Sequence, residues 1–374
     1  MGSKTPWKRQ RLVAAAQQQD KDRRQDQALI PGLPDHVAEL CLSRLHPSLL
    51  FSICRSWRRL IYSPLIPPFP SLYTLFSSLD NEIQLLSFDP MSFKWEPVPP
   101  PPAGSLRLLV HHPSFISRNL PVQSISAAGN LILLAGTSPN FNPALSRPLI
   151  FSPLSRSWRL GPPLATPRRW CAAGACGSAI YVASGIGSHF STDVARSLER
   201  LDLEMEDDDE VSIGARWKKM RQLKDGRFST DAIDAVGWRG KLCVVNVAKQ
   251  GALYDVENDV WEDMPEGMVA GWRGPVAAMD EEVLYGVDKA KGVLSRYVRE
   301  NDEWEEIMES ERLRGAHQMA AAAGRLCVIC GDGEILVINV VVAPPRSWVV
   351  ERPSGLEPLA VHVLPRMSRP ENMI

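Results

Sequence analysis

Arg107, Arg168, Arg227, Arg273 and Arg314 each follow a tryptophan by 10 or 12 residues. A guanidinium group is a planar fork of donors that can bind a carboxylate or phosphate through two parallel hydrogen bonds. Trp170, Phe228, Trp272 and His317 lie beside these arginines and could supply rigid contact area. The chemistry this pattern suits is the holding of an acidic or phosphorylated peptide. An arginine repeated at one structural position can equally brace neighbouring loops, and the sequence leaves both readings open.

Other reactive residues are sparse in pattern. The seven cysteines, Cys41, Cys54, Cys171, Cys176, Cys243, Cys327 and Cys330, are an odd number in a chain with no secretion signal, so free thiols are expected. Cys327 and Cys330 have the spacing of a metal or redox pair. They sit inside the strand-like run Leu326 to Cys330, and no second pair completes a zinc set, so they read as packed core thiols. There is no phosphate loop and no nucleophile elbow. No cofactor and no metal are expected.

The elements that must position these residues can be bounded first by composition. The chain has 374 residues and a formal net charge of -1, enough for one large and one small domain, with no reason to expect nucleic acid as the main partner. Lys4, Lys8, Arg9 and Arg11 are followed by no apolar stretch, which excludes a signal peptide. The longest apolar run, Ile335 to Ala343, is far short of the ~18 residues of a membrane span. A soluble protein of the cytoplasm or nucleus, without membrane attachment, is the expectation. Residues 1–28 are polar and read as a disordered tail, in which Lys8-Arg9-Gln10-Arg11 is either solvated or a nuclear import signal.

Residues 29–63 have helical texture, which Pro64 ends. Ile30-Pro31-Gly32-Leu33-Pro34 opens the segment, and Asp35 is placed to cap the helix that follows. Val37, Leu40, Cys41, Arg44 and Leu45 fall at helical spacing. Pro47 suits the first turn of a second helix, on which Leu49, Ile53, Trp57 and Leu60 follow at intervals of 4, 4 and 3. The spacing predicts two or three short helices, too small a unit to bury all its apolar surface by itself.

From residue 69 the helical period disappears. Short runs rich in Val, Ile, Leu and Tyr alternate with turn residues, and the pattern repeats. Trp95, Trp158, Trp217, Trp261, Trp304 and Trp348 are separated by 63, 59, 44, 43 and 44 residues. A turn residue precedes an apolar strand at Gly129-Asn130, Gly177-Ser178, Gly240-Lys241, Asp280-Glu281 and Gly324-Arg325. Four strands per unit, six times over, predict a β-propeller with the tryptophan at an inter-blade position. Leu359 to Leu364 is placed to supply a missing strand of the first blade and close the ring. The arginines then fall on connections from an outer strand to the next inner strand, on one face around the channel. Pro97 to Pro102 reads as an inter-blade loop, and Glu204 to Glu210 as a solvated acidic loop.

Residues 29–64 resemble an F-box, with Leu33-Pro34-Asp35 at its opening and Ser52-Ile53-Cys54-Arg55-Ser56-Trp57-Arg58-Arg59-Leu60 near its end. The remainder resembles kelch repeats, and the whole chain is similar to plant F-box/kelch-repeat proteins of the Skp-interacting-partner type. Two features depart from the family. The F-box is short around His46-Pro47. The double glycine of kelch strands is replaced by Ala135-Gly136, Ser184-Gly185 and Cys330-Gly331.

The resemblance implies an all-α F-box module followed by an all-β kelch-type propeller of six blades. The expected division is a tail at 1–28, the F-box at 29–68, the propeller at 69–365 and a flexible tail at 366–374. The resemblance further implies a non-catalytic substrate-recognition adaptor of an SCF-type (Skp–cullin–F-box) ubiquitin ligase. Its partners would be a Skp-family adaptor, through it a cullin scaffold, and a protein substrate. Leu33, Pro34, Val37, Leu40, Leu45, Leu49, Cys54, Trp57 and Leu60 match the family's adaptor-binding positions. Arg107, Arg168, Trp170, Arg227, Trp272, Arg273, Arg314 and His317 are the candidate substrate contacts. Two rival classes are a kelch scaffold without ligase function and a kelch-type copper oxidase. Copper needs converging imidazoles, and among His36, His46, His111, His112, His189, His317 and His362 only His111-His112 is clustered.

Overall fold

The computed structural model describes residues 28–63, 66–78, 82–102, 123–138, 140, 142–203, 216–229, 233–246 and 248–368. The expectations for the basic cluster of residues 8–11, for Arg107 and His111-His112, for the acidic loop 204–210 and for the last six residues lie outside these. Of the described residues, those from 28 to Phe69 together with Ser368 belong to one compact unit, and Pro70–Met367 form the other.

The first unit is helical: α1 (Asp35–Leu42), α2 (Pro47–Ile53) and α3 (Arg55–Leu60). Pro47 stands at the first turn of α2, where its missing N–H costs nothing, and His46 Nδ1 accepts from the Ser48 N–H at 3.3 Å. Cys54 ends α2 and caps α3, its sulfur accepting from the Trp57 N–H at 3.5 Å. The expected cap of α1 is corrected. Pro34 is the capping residue, Asp35 is already helical, and its carboxylate reaches back to the Leu29 N–H at 3.1 Å.

The second unit is a six-bladed β-propeller of four-stranded antiparallel sheets. Blade 1 has β1 (Pro70–Ser78), β2 (Ile83–Asp89) and β3 (Lys94–Pro97), and blade 2 has β4 (Gln123–Ala127), β5 (Asn130–Leu134), β6 (Leu149–Ser152) and β7 (Ser157–Leu160). Blade 3 has β8 (Ala172–Cys176), β9 (Ala179–Ala183), β10 (Leu198–Asp202) and β11 (Lys218–Lys219). Blade 4 has β12 (Ile233–Trp238), β13 (Lys241–Asn246), β14 (Gly251–Asp255) and β15 (Val260–Asp263). Blade 5 has β16 (Val276–Met279), β17 (Val283–Asp288), β18 (Val293–Val298) and β19 (Glu303–Glu309). Blade 6 has β20 (Gln318–Ala322), β21 (Arg325–Ile329), β22 (Ile335–Asn339) and β23 (Arg346–Val350). The chain then returns as β24 (Leu356–Pro365), which pairs antiparallel with β1 and becomes the inner strand of blade 1. The strand at Leu359 to Leu364 thus supplies the missing strand of blade 1 and closes the ring.

The apolar runs are continuous because each sheet is covered on both faces. Leu131 and Leu133 enter the core between blades 1 and 2, while Ile132 and Leu134 enter the core between blades 2 and 3. Leu242 and Val244 face blade 3, while Cys243 and Val245 face blade 5. Leu326 and Val328 face blade 5, while Cys327 and Ile329 face blade 1. Cys327 and Cys330 are buried apolar fillers, and burial pushes both thiols up to about 12.

Six inner strands converging on one axis leave little room for side chains. β8 reads Ala-Ala-Gly-Ala-Cys and β20 reads Gln-Met-Ala-Ala-Ala. At Gly237 a methyl group would stand 1.9 Å from the Ala175 carbonyl oxygen of the neighbouring blade, so only glycine fits there.

The tryptophan period has a specific cause. Trp158 donates its indole N–H to the Pro99 carbonyl of blade 1 at 2.7 Å, and Trp217 donates to Pro162 of blade 2 at 3.0 Å. Trp261 donates to Arg221 at 2.8 Å, Trp304 to Met268 at 3.2 Å, and Trp95 to Glu351 at 2.7 Å. Five indoles therefore reach back across a seam and hold the connection that leaves the preceding blade. In four blades the ring also packs on the aromatic residue opposite it: Phe88–Trp95, Phe151–Trp158, Tyr254–Trp261 and Tyr297–Trp304, with centroids 5.1–5.5 Å apart.

The sixth tryptophan breaks the rule. Trp348 pairs with Val337, a residue of the core facing blade 1, so it lies on the opposite face of its sheet and is 40% exposed. Val349 packs against the core toward blade 5 in its place. The period counts Trp348, but a one-residue offset in register takes it out of the seam.

Replacing Trp158 with Phe leaves the Pro99 carbonyl without its donor. The expected destabilisation is about 1–2 kcal/mol in denaturant unfolding, against less than about 0.5 kcal/mol for Trp348→Phe. Equal effects would contradict the staple.

Candidate functional site

The inner strands enclose a channel of about 1470 Å³. Gln123 and Ser124 of β4, Gly174 of β8, Asp234 of β12, His317 and Gln318 beside and in β20, and His362 of β24 are on its wall. His362 is buried, and its Nε2 lies 2.8 Å from the Ser124 hydroxyl. Loss of solvent lowers its pKa to about 4.

The two ends of the channel differ. Where the inner strands end, Glu281 accepts from the Gly177 N–H of blade 3 at 2.8 and 2.9 Å, and its own carbonyl accepts from the Arg239 N–H of blade 4. One turn of blade 5 thereby ties down two other blades. Where the inner strands begin, the lining comes mostly from turns and strand ends: Lys249 after β13, Arg273 before β16, Asp288 at the end of β17, Lys289 and Lys291 after it, Asp332 after β21, and Arg352 and Glu357 at the start of β24. Hydrogen bonds from the Lys289 N–H to the Arg273 carbonyl and from the Gly315 N–H to the Lys289 carbonyl gather these turns at one mouth.

The candidate arginines have separate fates. Arg273 is exposed at the mouth, with Trp272 and His317 beside it on the lining. Arg273 bonds to Asp288 at 3.3 Å and to the Ala270 carbonyl at 3.1 Å. Partial burial lowers the pKa of His317, and the nearby Lys289 adds to that shift. Arg227 turns to Asp225 at 2.5 Å, which holds that carboxyl down at about 2, and neither residue lines the channel. Arg314 lies against Glu311 at 3.0 Å, also off the lining. Trp170 is half-buried off the channel under the Arg169 guanidinium, 4.5 Å from its ring centroid.

Arg168 is corrected from substrate contact to internal brace. At 1% exposure it bonds to the Ser184 carbonyl at 3.2 Å, the Ser197 hydroxyl at 2.5 Å and the Glu199 carboxylate. These three bonds tie the end of β9 to the start of β10 in blade 3, and Nε bonds to the Thr166 carbonyl at 3.2 Å. Lys249, Lys289, Lys291 and Arg352 were not singled out in the sequence. Each sits at a turn tip or strand start whose placement at the mouth follows only from strand direction.

In the helical unit the nine expected adaptor contacts also divide. Leu33, Pro34, Leu40, Leu45, Leu49 and Cys54 are exposed, Val37 and Trp57 are half-buried, and Leu60 is buried. The Trp57 indole N–H is fixed on the Leu29 carbonyl at 2.7 Å. Ile53, which shares the helical spacing but was left out of the expected set, is 57% exposed. With Leu40 at 68% and Leu49 at 53%, it leaves large aliphatic side chains in water on all but the last helix. Among the described residues no three His, Cys, Asp or Glu side chains converge to hold a metal ion, and no helix is long and apolar enough to cross a membrane.

Two outcomes follow. Arg168→Met strands the Glu199 carboxylate in the interior and is expected to cost about 3–5 kcal/mol in unfolding free energy. An unchanged melting temperature would return Arg168 to the surface role. His362 binds a proton less readily folded than unfolded, so its contribution to stability is complete above about pH 6.5 and is lost as pH falls toward 4. The wild type should lose on the order of 3 kcal/mol more than His362→Gln across that interval in pH-dependent denaturation.

No family model matches the sequence. The chain is 51% identical to the F-box/kelch-repeat protein SKIP25 of Arabidopsis thaliana, over 98% of this chain and 94% of that protein. It is 23% identical to the F-box protein AFR of the same plant, over 93% and 95% of the two chains. It is 26% identical to the Arabidopsis F-box/kelch-repeat protein At1g30090, over 66% and 61%. An N-terminal set of three short helices, a kelch-type ring of six blades and a relative alike over nearly its whole length lead to one conclusion: the chain belongs to the plant F-box/kelch-repeat proteins.

Proposed function

We propose that this chain is the substrate-recognition subunit of an SCF-type ubiquitin ligase. The helical unit docks on a Skp-family adaptor and through it on a cullin scaffold. The propeller holds the protein to be ubiquitinated. The chain itself performs no bond chemistry; it brings two proteins together.

The observation that carries this reading is the exposed aliphatic set on the helices. Leu33, Leu40, Leu45, Leu49 and Ile53 are all solvent-facing. Exposed aliphatic side chains gathered in so small a unit mark an interaction surface more readily than a solvated one. Capped and proline-opened helices support it, since they hold the side chains in fixed positions without a large core of their own. The names of the relatives, F-box and kelch-repeat, support the same assignment at the level of the family. For the propeller, the cargo-holding role is supported by the open mouth of the channel. Arg273, Trp272 and His317 remain there from the expected set.

Leu40→Asp combined with Ile53→Asp should reduce co-purification of a Skp-family adaptor at least about tenfold. The cost to folding should stay small, because both side chains already face solvent. Undiminished association, with the melting temperature of wild type, would refute the docking surface.

A further inference from the structure

Lys249, Lys289 and Lys291 stand on neighbouring turns of blades 4 and 5, exposed on the channel lining, and their ammonium groups form no ion pair among the described residues. Elsewhere on the propeller, cations close to carboxylates are paired: Lys218 with Asp202, Lys241 with Asp255 and Glu262, Arg239 with Glu282, Arg296 with Glu305. With Arg273, this sector holds four cations against two carboxylates, Asp288 and, on the wall at the start of β12, Asp234. Asp288 is already engaged by Arg273 and by the N–H groups of Ala290 and Lys291. The opposite side of the mouth has Asp332 and Glu357 against Arg352. Field lines in a narrow, low-dielectric opening are focused, so the excess on one side attracts anions to that side.

A second observation marks the same place. Trp272 is 5% exposed on this lining, and its indole N–H has no acceptor among the described residues. A buried donor without an acceptor is costly, and a group bound at the mouth could offer one.

We propose that the blade 4–5 sector of this mouth binds a carboxylate-rich segment of the cargo protein, an inference that rests on the propeller being the cargo-holding unit. Carboxylates fit better than phosphate. A phosphate group is held best by an arginine fork, and the two arginines here are engaged, Arg273 by Asp288 and Arg352 by the Leu356 carbonyl at 3.3 Å. Three lysines on flexible stems, each a separate point charge, match several single charges spread along an extended chain. Asp332 and Glu357 repel the same charges and so set which side of the mouth the acidic run occupies.

The test uses the full-length protein and a fluorescent peptide of alternating Glu and Gly, read by anisotropy. A Gln/Gly peptide and a phosphoserine/Gly peptide serve as comparisons. The Glu peptide should bind at least about tenfold more tightly than the Gln peptide and weaken as salt rises to about 0.3 M. The combined variant Lys249→Glu, Lys289→Glu, Lys291→Glu should lose that binding by about tenfold or more. A matched variant with Lys94→Glu, Arg325→Glu and Arg346→Glu, remote from the mouth, should retain it within about twofold. Equal binding by the mouth variant, or equal binding of the Gln peptide, overturns the site. Much tighter binding of the phosphoserine peptide, displaced by inorganic phosphate, overturns the choice of carboxylate. Each protein is also assayed for association with a Skp-family adaptor. Retained association with lost Glu-peptide binding supports the site. Retained association with no discrimination between peptides refutes the site alone. Absent association in the wild type refutes the ligase reading independently.

Discussion

A four-stranded sheet with two apolar faces is stable only between two others. Every blade of this propeller meets that condition by offering one face to each neighbour, and the six seams are six separate cores. None can be omitted, because an open ring would leave two apolar faces in water. The closing strand β24 follows from this constraint. Its Val361 fills the seam between blades 6 and 1, and its Ala360 and Leu364 fill the seam between blades 1 and 2. The last strand of the unit therefore completes cores begun nearly 300 residues earlier, which couples the ring into one cooperative body.

Closure also dictates where function can sit. Backbone groups are used within the sheets, and most strand side chains are used in the seams. Convergence on the axis favours small residues in inner strands such as β8 and β20. Apart from a few polar side chains on the channel wall, the side chains left to spend are in the turns. The helical unit is the opposite case: its helices are short, its ends are locally capped, and its aliphatic side chains at 40, 49 and 53 are exposed. One unit satisfies its apolar groups internally, and the other presents them outward.

Much of this was legible in the residue pattern, for physical reasons. Tryptophan recurs because an indole can fill a seam and still donate to a carbonyl across it, as Trp158 does to Pro99. Continuous apolar runs such as Leu131 to Leu134 announce strands covered on both faces. Pro47 fixes a helix start through its own geometry. What was not legible depends on register and depth. Trp348 has the right spacing but pairs with Val337 and so points to the wrong face. Arg168 has the same distance from its tryptophan as Arg227 and Arg314, yet it is buried on Glu199, 31 residues away in sequence. No local pattern announces that partner. The mouth lysines were missed for a related reason: their role depends on two loops lying side by side, and that follows only from the assembled ring.

The contrast between the two channel ends follows from the same logic. At one end the charged turn residue is consumed in construction, since Glu281 bridges to the backbone of blades 3 and 4. At the other, Arg273 and Asp288 cancel, and Lys249, Lys289 and Lys291 are left over. Exposed charges left unpaired contribute little to holding the ring together, and their mutual repulsion is mildly unfavourable. Lys249, Lys289 and Lys291 at this opening are charge that stability does not use. That opening is also where the connections between blades surface, so the unpaired charges can vary without disturbing the seams. The physical separation of seams from turns allows one ring to keep its architecture while its recognition chemistry is set independently.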